Sequence, residues 1–388
     1  MNELFEDTAT AFALKSDSEL ERAFFLFKLI ANQPLVRIGT AVTNFAIKAH
    51  LPVEGLIRAT VFDHFCAGVS EEDSMSVVDK LWGKGVYSVL DYSVEGKETE
   101  DPLDKSLETN LRILDFVKEK ESMPFAVFKP TGYGRLALYQ KKGEGKSLTK
   151  DEQAEWDRVV GRFEATCKKA HDLDVSLLID AEESWMQDAA DDLVEEMMKK
   201  YNKKKPVVFN TLQMYRWDRM DYLKALHEKA QKEGFKIGIK VVRGAYLEKE
   251  NERAEEMGYP TPMCPSKQAT DENFDACVAY ILDHLDTISL FSGTHNEASC
   301  YRLMEWMDEK GIARDDHRVG FGQLYGMSDH ISFNLAKEGY NVAKYLPFGP
   351  VRDVMPYLIR RAEENTSVAG QTNRELELLK KERTRRKL

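Results

Sequence analysis

From residue 86 onward, short apolar runs alternate eight times with longer, charged, amphipathic stretches, and that alternation restricts this chain more than any other feature. The runs are Val86–Leu90, Phe125–Phe128, Val175–Ile179, Val207–Phe209, Ile237–Val242, Thr287–Phe291, Arg318–Gly320 and Val342–Leu346. They are apolar along their length rather than at every second residue, the pattern of strands covered on both faces. Helical periodicity marks the stretches after them: Pro102–Glu121, Thr149–His171, Met186–Tyr201, Met220–Glu233, Asp271–His284, Ala298–Lys310, Met327–Glu338 and Pro350–Glu364. Eight strand–helix pairs predict an α/β protein whose parallel sheet closes as a TIM-type (β/α)8 barrel. A doubly wound sheet is the competing architecture. It calls for a glycine fingerprint after the first strand, where Asp91-Tyr-Ser-Val94 stands instead. Neither Gly132-Tyr-Gly134 nor Gly320-Phe-Gly322 continues as G-x-G-x-x-G.

Residues 1–80 carry apolar positions at helical spacing, including Leu20, Phe24, Phe27 and Leu29, with turn signals at Asn32–Pro34 and His50–Pro52. They are expected as an N-terminal helical extension packed on a barrel spanning 81–368. Residues 369–388 form a polar tail ending KKERTRRKL, expected as a solvated helix end, with contact to anionic lipid as the alternative. A chain of 388 residues with 43% hydrophobic content suffices for one large barrel with additions. Its net charge of -11 argues against nucleic acid as a partner. No stretch approaches the roughly 20 apolar residues of a membrane span. The first residues, MNELFEDTATAF, are acidic where a targeting peptide is basic, so a cytoplasmic protein is expected. Five cysteines without a C-x-x-C pair are expected as reduced thiols. Eight histidines without H-x-x-x-H or H-E-x-x-H spacing give no expectation of a protein-bound metal.

Barrels of this type carry their chemistry at the C-terminal ends of their strands. Those ends hold Asp91, Lys129, Asp180, Asn210 with Gln213, Arg243 with Tyr246, Thr294-His295-Asn296, Gln323-Leu324-Tyr325, and Tyr345. That is more hydrogen-bonding chemistry than a structural rim requires, and it predicts an enzyme. Beyond the last strand, Tyr357, Arg360, Arg361 and Glu364 share one helix face at i, i+3, i+4 and i+7. Two adjacent guanidinium forks suit a carboxylate or a phosphate, although an ordinary surface Arg/Glu face has the same spacing. Taken singly, Lys129 also fits a rim lysine, Asp180 a structural ion-pair partner, and Thr294-His295-Asn296 a helix cap.

Tyr345-Leu-Pro-Phe-Gly-Pro350, followed by Tyr357-Leu-Ile-Arg-Arg361 and Glu364-Asn-Thr-Ser367, resembles the terminal motif of proline dehydrogenases. Val241-Val-Arg-Gly-Ala-Tyr246, Asp180-Ala-Glu-Glu183, Gly322-Gln-Leu-Tyr-Gly-Met-Ser-Asp329 and Leu90-Asp-Tyr-Ser-Val-Glu95 resemble further segments of that family, in the expected order. The resemblance runs from about Pro34 to Ser367. It implies a distorted barrel that binds FAD and oxidises L-proline to Δ1-pyrroline-5-carboxylate, a hydride passing to the flavin N5. By the same likeness Arg360 and Arg361 pair with the substrate carboxylate and Lys129 adds a further cation. Tyr246, Leu324, Tyr345 and Tyr357 wall the ring, Asp180 stands at the same mouth, and Glu364 braces the arginines. The cofactor contacts it implies are Gln213, Lys240, Val242, Arg243, Gly244 and Ala245, with Lys267, Thr294, His295 and Asn296 toward the phosphates and adenosine. Lys240 and Arg243 exchange the cations some relatives carry, and Ser266 replaces a common arginine. The length has room for no DNA-binding or aldehyde dehydrogenase module. A monofunctional enzyme is therefore expected, passing its product to a separate pyrroline-5-carboxylate dehydrogenase and its electrons to a quinone. Its expected location is the cytoplasm, or the inner membrane as a peripheral protein. The nearest competing function is hydroxyproline dehydrogenase, disfavoured because the Tyr345 phenol would crowd a ring hydroxyl. A flavin-free, phosphate-binding lyase using Lys129 as a Schiff-base amine is the alternative from another class.

Overall fold

The computed structural model describes residues 3–32, 54–92, 98–367 and 369–388, with side chains except those at 54, 56, 59 and 362–371. The turns expected at Asn32–Pro34 and His50–Pro52 reach outside the described residues. Eight strands hydrogen-bond in sequence order and close into a barrel. They are β1 (Val86–Tyr92), β2 (Phe125–Phe128), β3 (Ser176–Ile179), β4 (Val208–Gln213), β5 (Ile237–Val242), β6 (Ile288–Gly293), β7 (Val319–Leu324) and β8 (Val342–Phe348). The expected barrel is therefore present. Its parallel register places Val86 opposite Val342, Phe209 opposite Gly238, and Lys240 opposite Phe291.

Five strands continue past their apolar runs, to Tyr92, Gln213, Gly293, Leu324 and Phe348. Every residue of β4 and β8 is buried, polar ones included. Asn210 and Tyr345, expected at strand ends, consequently lie inside β4 and β8. A buried polar side chain can occupy a strand interior when it finds partners. Asn210 donates from Nδ2 to Asp191 Oδ1 at 2.9 Å, and Thr211 donates from Oγ1 to the Ile179 carbonyl at 2.7 Å.

The chain divides into two compact units, Met1–Glu95 with Gly322–Leu388, and Gly96–Phe321. In the first, the helix Asp17–Ile30 starts from a capping box between Ser16 and Glu19, which satisfies end donors reciprocally. Its apolar face, Leu20, Ala23 and Phe27, packs with Phe12 and with Leu378 and Leu379 of the C-terminal helix Ala369–Arg386. Each leucine so buried contributes about 2 kcal/mol. Polar pairing follows the same seam. Lys381 reaches Glu6 at 2.9 Å, Arg383 reaches Glu21 at 2.6 Å, Arg386 reaches Asp17 at 3.0 Å, and Arg374 also pairs with Glu6. The basic end is thus not a free solvated tail. Arg374, Lys381, Arg383 and Arg386 face acidic N-terminal residues, and the helix buries Leu378 and Leu379 against the N-terminal helix.

In the second unit, helices follow β2 to β6, and two of them were not expected from the periodicity, Leu136–Gly143 and Leu247–Met257. The latter is polar on most faces but carries the fully buried Glu250. That carboxylate accepts from the Ser184 amide and hydroxyl, both at 2.6 Å, at the start of the helix Ser184–Tyr201. Lys249 pairs with Glu183 beside it.

Candidate active site

In the unit Gly96–Phe321, the end of β5 is the best-defined part of the site. Buried Lys240 pairs with the half-buried Asp180, the residue after β3. Gln213 closes β4 opposite Val242 and is buried; its Nε2 donates to the Glu182 carbonyl at 2.6 Å. Past the strand, the Met214 and Tyr215 amides donate to the Val242 and Arg243 carbonyls, each at 2.8 Å. Gly244 then adopts φ +124, and a Cβ there would stand 2.5 Å from the Tyr215 ring. Only glycine combines that dihedral with so close a crossing. Gly244 and Ala245 are both exposed.

Arg243 flanks this turn and is held on every nitrogen. Nε pairs with Asp271 at 2.6 Å, Nη1 donates to Thr294 Oγ1 at 2.8 Å, and Nη2 to Ser299 Oγ at 2.9 Å. Its guanidinium also lies 4.4 Å from the centre of the Phe274 ring. Lys267, largely exposed, shares Asp271 at 2.6 Å. Partial burial pushes the Asp271 carboxyl up, but hydrogen bonds from Lys267 and Arg243 outweigh it and hold the group below its ordinary value. Thr294 Oγ1 accepts from the Asn296 amide at 3.1 Å, and Asn296 caps the helix Glu297–Glu309 by accepting from the Ser299 amide at 3.1 Å. Asn296 therefore does cap a helix, with Thr294 holding the turn into it and half-buried His295 between them. An exposed turn of two small residues beside two cations that share one carboxylate fits a flat ring attached to phosphates.

Lys129 and Asp180 follow adjacent strands, the Asp180 amide donating to the Phe128 carbonyl at 3.0 Å. Both are half-buried. Tyr246 stands half-buried at the start of the helix Leu247–Met257, its carbonyl accepting from the Glu250 amide at 2.9 Å.

In the other unit, the helix Met355–Ser367 begins with Pro356 in its first turn, where a missing amide costs nothing. Tyr357 is buried, and the Arg361 guanidinium lies 5.3 Å from its ring centre. Arg360 and Arg361 are half-exposed on the following turn. Leu324 packs against the apolar cluster that contains Tyr357, Met327 and Phe65. The Tyr325 amide donates to the Tyr345 carbonyl at 2.9 Å. Leu324, Tyr345, Tyr357, Arg360 and Arg361 are thus carried by elements that meet one another. Glu364 lies on the same helix, and its side chain is outside the described residues.

Sequence reasoning missed the charged group that holds the Leu324 loop. Lys344, fully buried in β8, pairs with Asp329 at 2.7 Å and donates to the carbonyls of Met327 at 2.6 Å and Leu324 at 3.4 Å. Asp329 also pairs with Lys15 at 3.0 Å. Glu375 of the C-terminal helix accepts from the Ser328 amide at 2.5 Å, supporting a serine in the left-handed region at φ 52. Burial pushes Asp329 up, yet Lys15 and Lys344 together hold it far below the usual carboxylate range. Burial pushes Lys344 down and Glu375 up. A lysine inside the run Val342-Ala-Lys-Tyr-Leu346 is the one sequence sign of this group, because a cation there needs a buried anion.

A model of the family described as proline dehydrogenase matches residues 74–374. The carbapenem antibiotics biosynthesis protein CarD of Pectobacterium carotovorum subsp. carotovorum is 35% identical over 362 residues, 93% of this chain and 94% of that protein. Human mitochondrial proline dehydrogenase 1 is 42% identical over 242 residues, 62% of this chain and 40% of that protein. Among solved structures, proline utilization A (PutA) from Bdellovibrio bacteriovorus, inactivated by N-propargylglycine, matches with a TM-score of 0.70 at 20% identity. That match covers 95% of this chain and 37% of that chain, and at this identity it bears on the fold alone.

Proposed function

The chain belongs to the proline dehydrogenase family, and from that premise we propose that it oxidises L-proline to Δ1-pyrroline-5-carboxylate with bound FAD. One observation supports the reading most: Arg360 and Arg361 stand one turn beyond the buried ring of Tyr357, which Arg361 covers. Paired forks beside an apolar wall are what a small amphoteric ring requires, a carboxylate at one end and C–H bonds at the other.

FAD, when bound, supplies a two-electron acceptor for hydride. The residues that would hold it are Gln213, Lys240, Val242, Arg243, Gly244 and Ala245, with Lys267, Thr294, His295 and Asn296 for its phosphates and adenosine. The exposed Gly244 and Ala245 offer a flat ring a turn of small residues, and Arg243 and Lys267 offer charge to a pyrophosphate. The remaining work is binding and orientation. Arg360 and Arg361 take the carboxylate, with Glu364 as their brace, and Lys129 is a further cation for it. Tyr246, Leu324, Tyr345 and Tyr357 confine the ring so that the carbon beside nitrogen presents its C–H bond, with Asp180 nearby. The C–H electron pair leaves as hydride and the nitrogen lone pair closes the C=N bond. The amine must first lose its proton, which neighbouring cations favour, and water is the acceptor. Electrons then pass to a quinone, and the product to a separate dehydrogenase. The Tyr345 phenol leaves little room for a ring hydroxyl, so proline is preferred over hydroxyproline.

The decisive experiment is an anaerobic spectrum. The purified protein is expected to show flavin absorbance that L-proline bleaches. A yellow protein that proline leaves oxidised would sink the proposed reaction, and a colourless one would remove the cofactor as well.

A further inference from the structure

Resting on the reading of Lys129 as a cation for the substrate, we infer that Glu182 is a positioning residue that aims Lys129. Its buried carboxylate grips the turn on which that lysine stands. Glu182 Oε2 accepts from the Thr131 amide at 2.8 Å and Oε1 accepts from the Thr131 hydroxyl at 2.6 Å, two residues beyond Lys129. From the opposite side the Tyr139 hydroxyl donates to the Pro130 carbonyl at 2.8 Å, and the Gly132 amide closes the turn on the Lys129 carbonyl at 2.9 Å. Each peptide from Lys129 to Gly132 is therefore tied, and the lysine leaves a fixed mount.

Glu182 is itself immobilised before its side chain reaches out. Its amide donates to Gln187 Oε1 at 2.9 Å, and its carbonyl accepts from Gln213 Nε2 at 2.6 Å. Gln187 donates to Asp191 Oδ1 at 2.8 Å, and Asp191 pairs through Oδ2 with Arg219 at 2.8 Å. Glu182, Gln187 and Asp191 are all nearly inaccessible, so water cannot replace a lost partner without reorganising the network. One residue thus couples the turn after β2 to the loop after β3 and to the end of β4. A carboxylate suits the task because both of its oxygens only accept, matching two convergent donors. An amide could keep both contacts only by reversing the one to the Thr131 hydroxyl, and it would lose the charge that strengthens them.

The test is a double-mutant cycle on the full chain with L-proline, using Glu182→Gln, Lys129→Met and their combination. Bound flavin per protein, melting temperature and kcat are measured alongside KM. Glu182→Gln is expected to raise KM several-fold, up to about tenfold, as two charge-assisted hydrogen bonds become neutral ones, with flavin content and kcat near the parent values. Lys129→Met raises KM further, and the double variant is no worse than Lys129→Met alone, because the glutamate acts through the lysine. Thr131→Val, which deletes only the hydroxyl donor, gives a smaller rise of the same kind and carries the test should Glu182→Gln misfold. Additive effects in the double variant would overturn the inference while leaving Lys129 a substrate cation. An unchanged KM in Lys129→Met would overturn both. Loss of flavin together with the KM change would assign Glu182 to the scaffold and reject the positioning role.

Discussion

A Cβ at position 244 would have to share space with the Tyr215 ring, at a backbone dihedral that L side chains rarely adopt. Gly244→Ala is accordingly expected to distort the turn at a cost of about 1–3 kcal/mol, and flavin per protein should fall well below one. Full flavin content in that variant would take Gly244 out of the cofactor cradle. Arg361→Ala makes the opposite prediction. It removes a fork proposed for the substrate carboxylate, one that also covers the Tyr357 ring, so KM for proline should rise by roughly 10–100-fold, about 1.4–3 kcal/mol, while flavin stays bound. A parallel loss of flavin would show that the arginine supports the fold instead. At this scale the chemistry of single positions was legible and their partners were not. The motif around Arg243 named the residue; Asp271, Thr294 and Ser299, which orient it, came from later elements with no fixed spacing. Lys344 was passed over because its neighbours are apolar, and only the fold brings Asp329 beneath it.

Strands announced themselves as apolar runs, and all eight are present, because burial on both faces leaves little room for any other composition. Their ends were harder to place. Polar residues such as Asn210 and Gln213 read as loop, while buried partners let β4 run through them. The helix Leu247–Met257 escaped notice for a related reason: its anchor is a glutamate, Glu250, rather than an apolar stripe. The C-terminal helix shows the largest difference between expectation and structure. Its basic residues pair with acids at the other end of the chain, which no local window can contain. Leu378→Ala should therefore destabilise the protein by about 2–4 kcal/mol, as for any fully buried leucine, in chemical denaturation. A change below about 0.5 kcal/mol would mean that the helix is loosely held. Glu375→Gln is a subtler probe of the same element. It should leave the fold intact but shift KM for proline, since the Ser328 amide it holds belongs to the loop that carries Leu324.

Across the molecule, acidification should reveal a buried histidine. Burial, with Lys15 acting in the same direction, pulls His64 from 6.5 down to about 3, so it stays neutral in the folded protein while the unfolded chain takes up a proton. The stabilisation tied to its depressed value is complete above about pH 6.5 and is lost as pH falls toward 3. Between pH 7.5 and 5.5 this group should contribute a loss of roughly 1.4 kcal/mol, and His64→Gln should lessen the fall in unfolding free energy over that range by about that amount. Equal slopes for the two proteins would refute it. The two-unit organisation carries a different consequence, one of timing. Residues 96–321 are continuous in the chain, whereas β1 and the helix Asp17–Ile30 find β8 and the helix Ala369–Arg386 only at the far end. On a ribosome, this N-terminal segment is therefore translated before residues 96–321 and covered after them. Its apolar face, with Leu20 and Phe27, must wait through the synthesis of everything between, in the interval when a nascent chain most depends on chaperones.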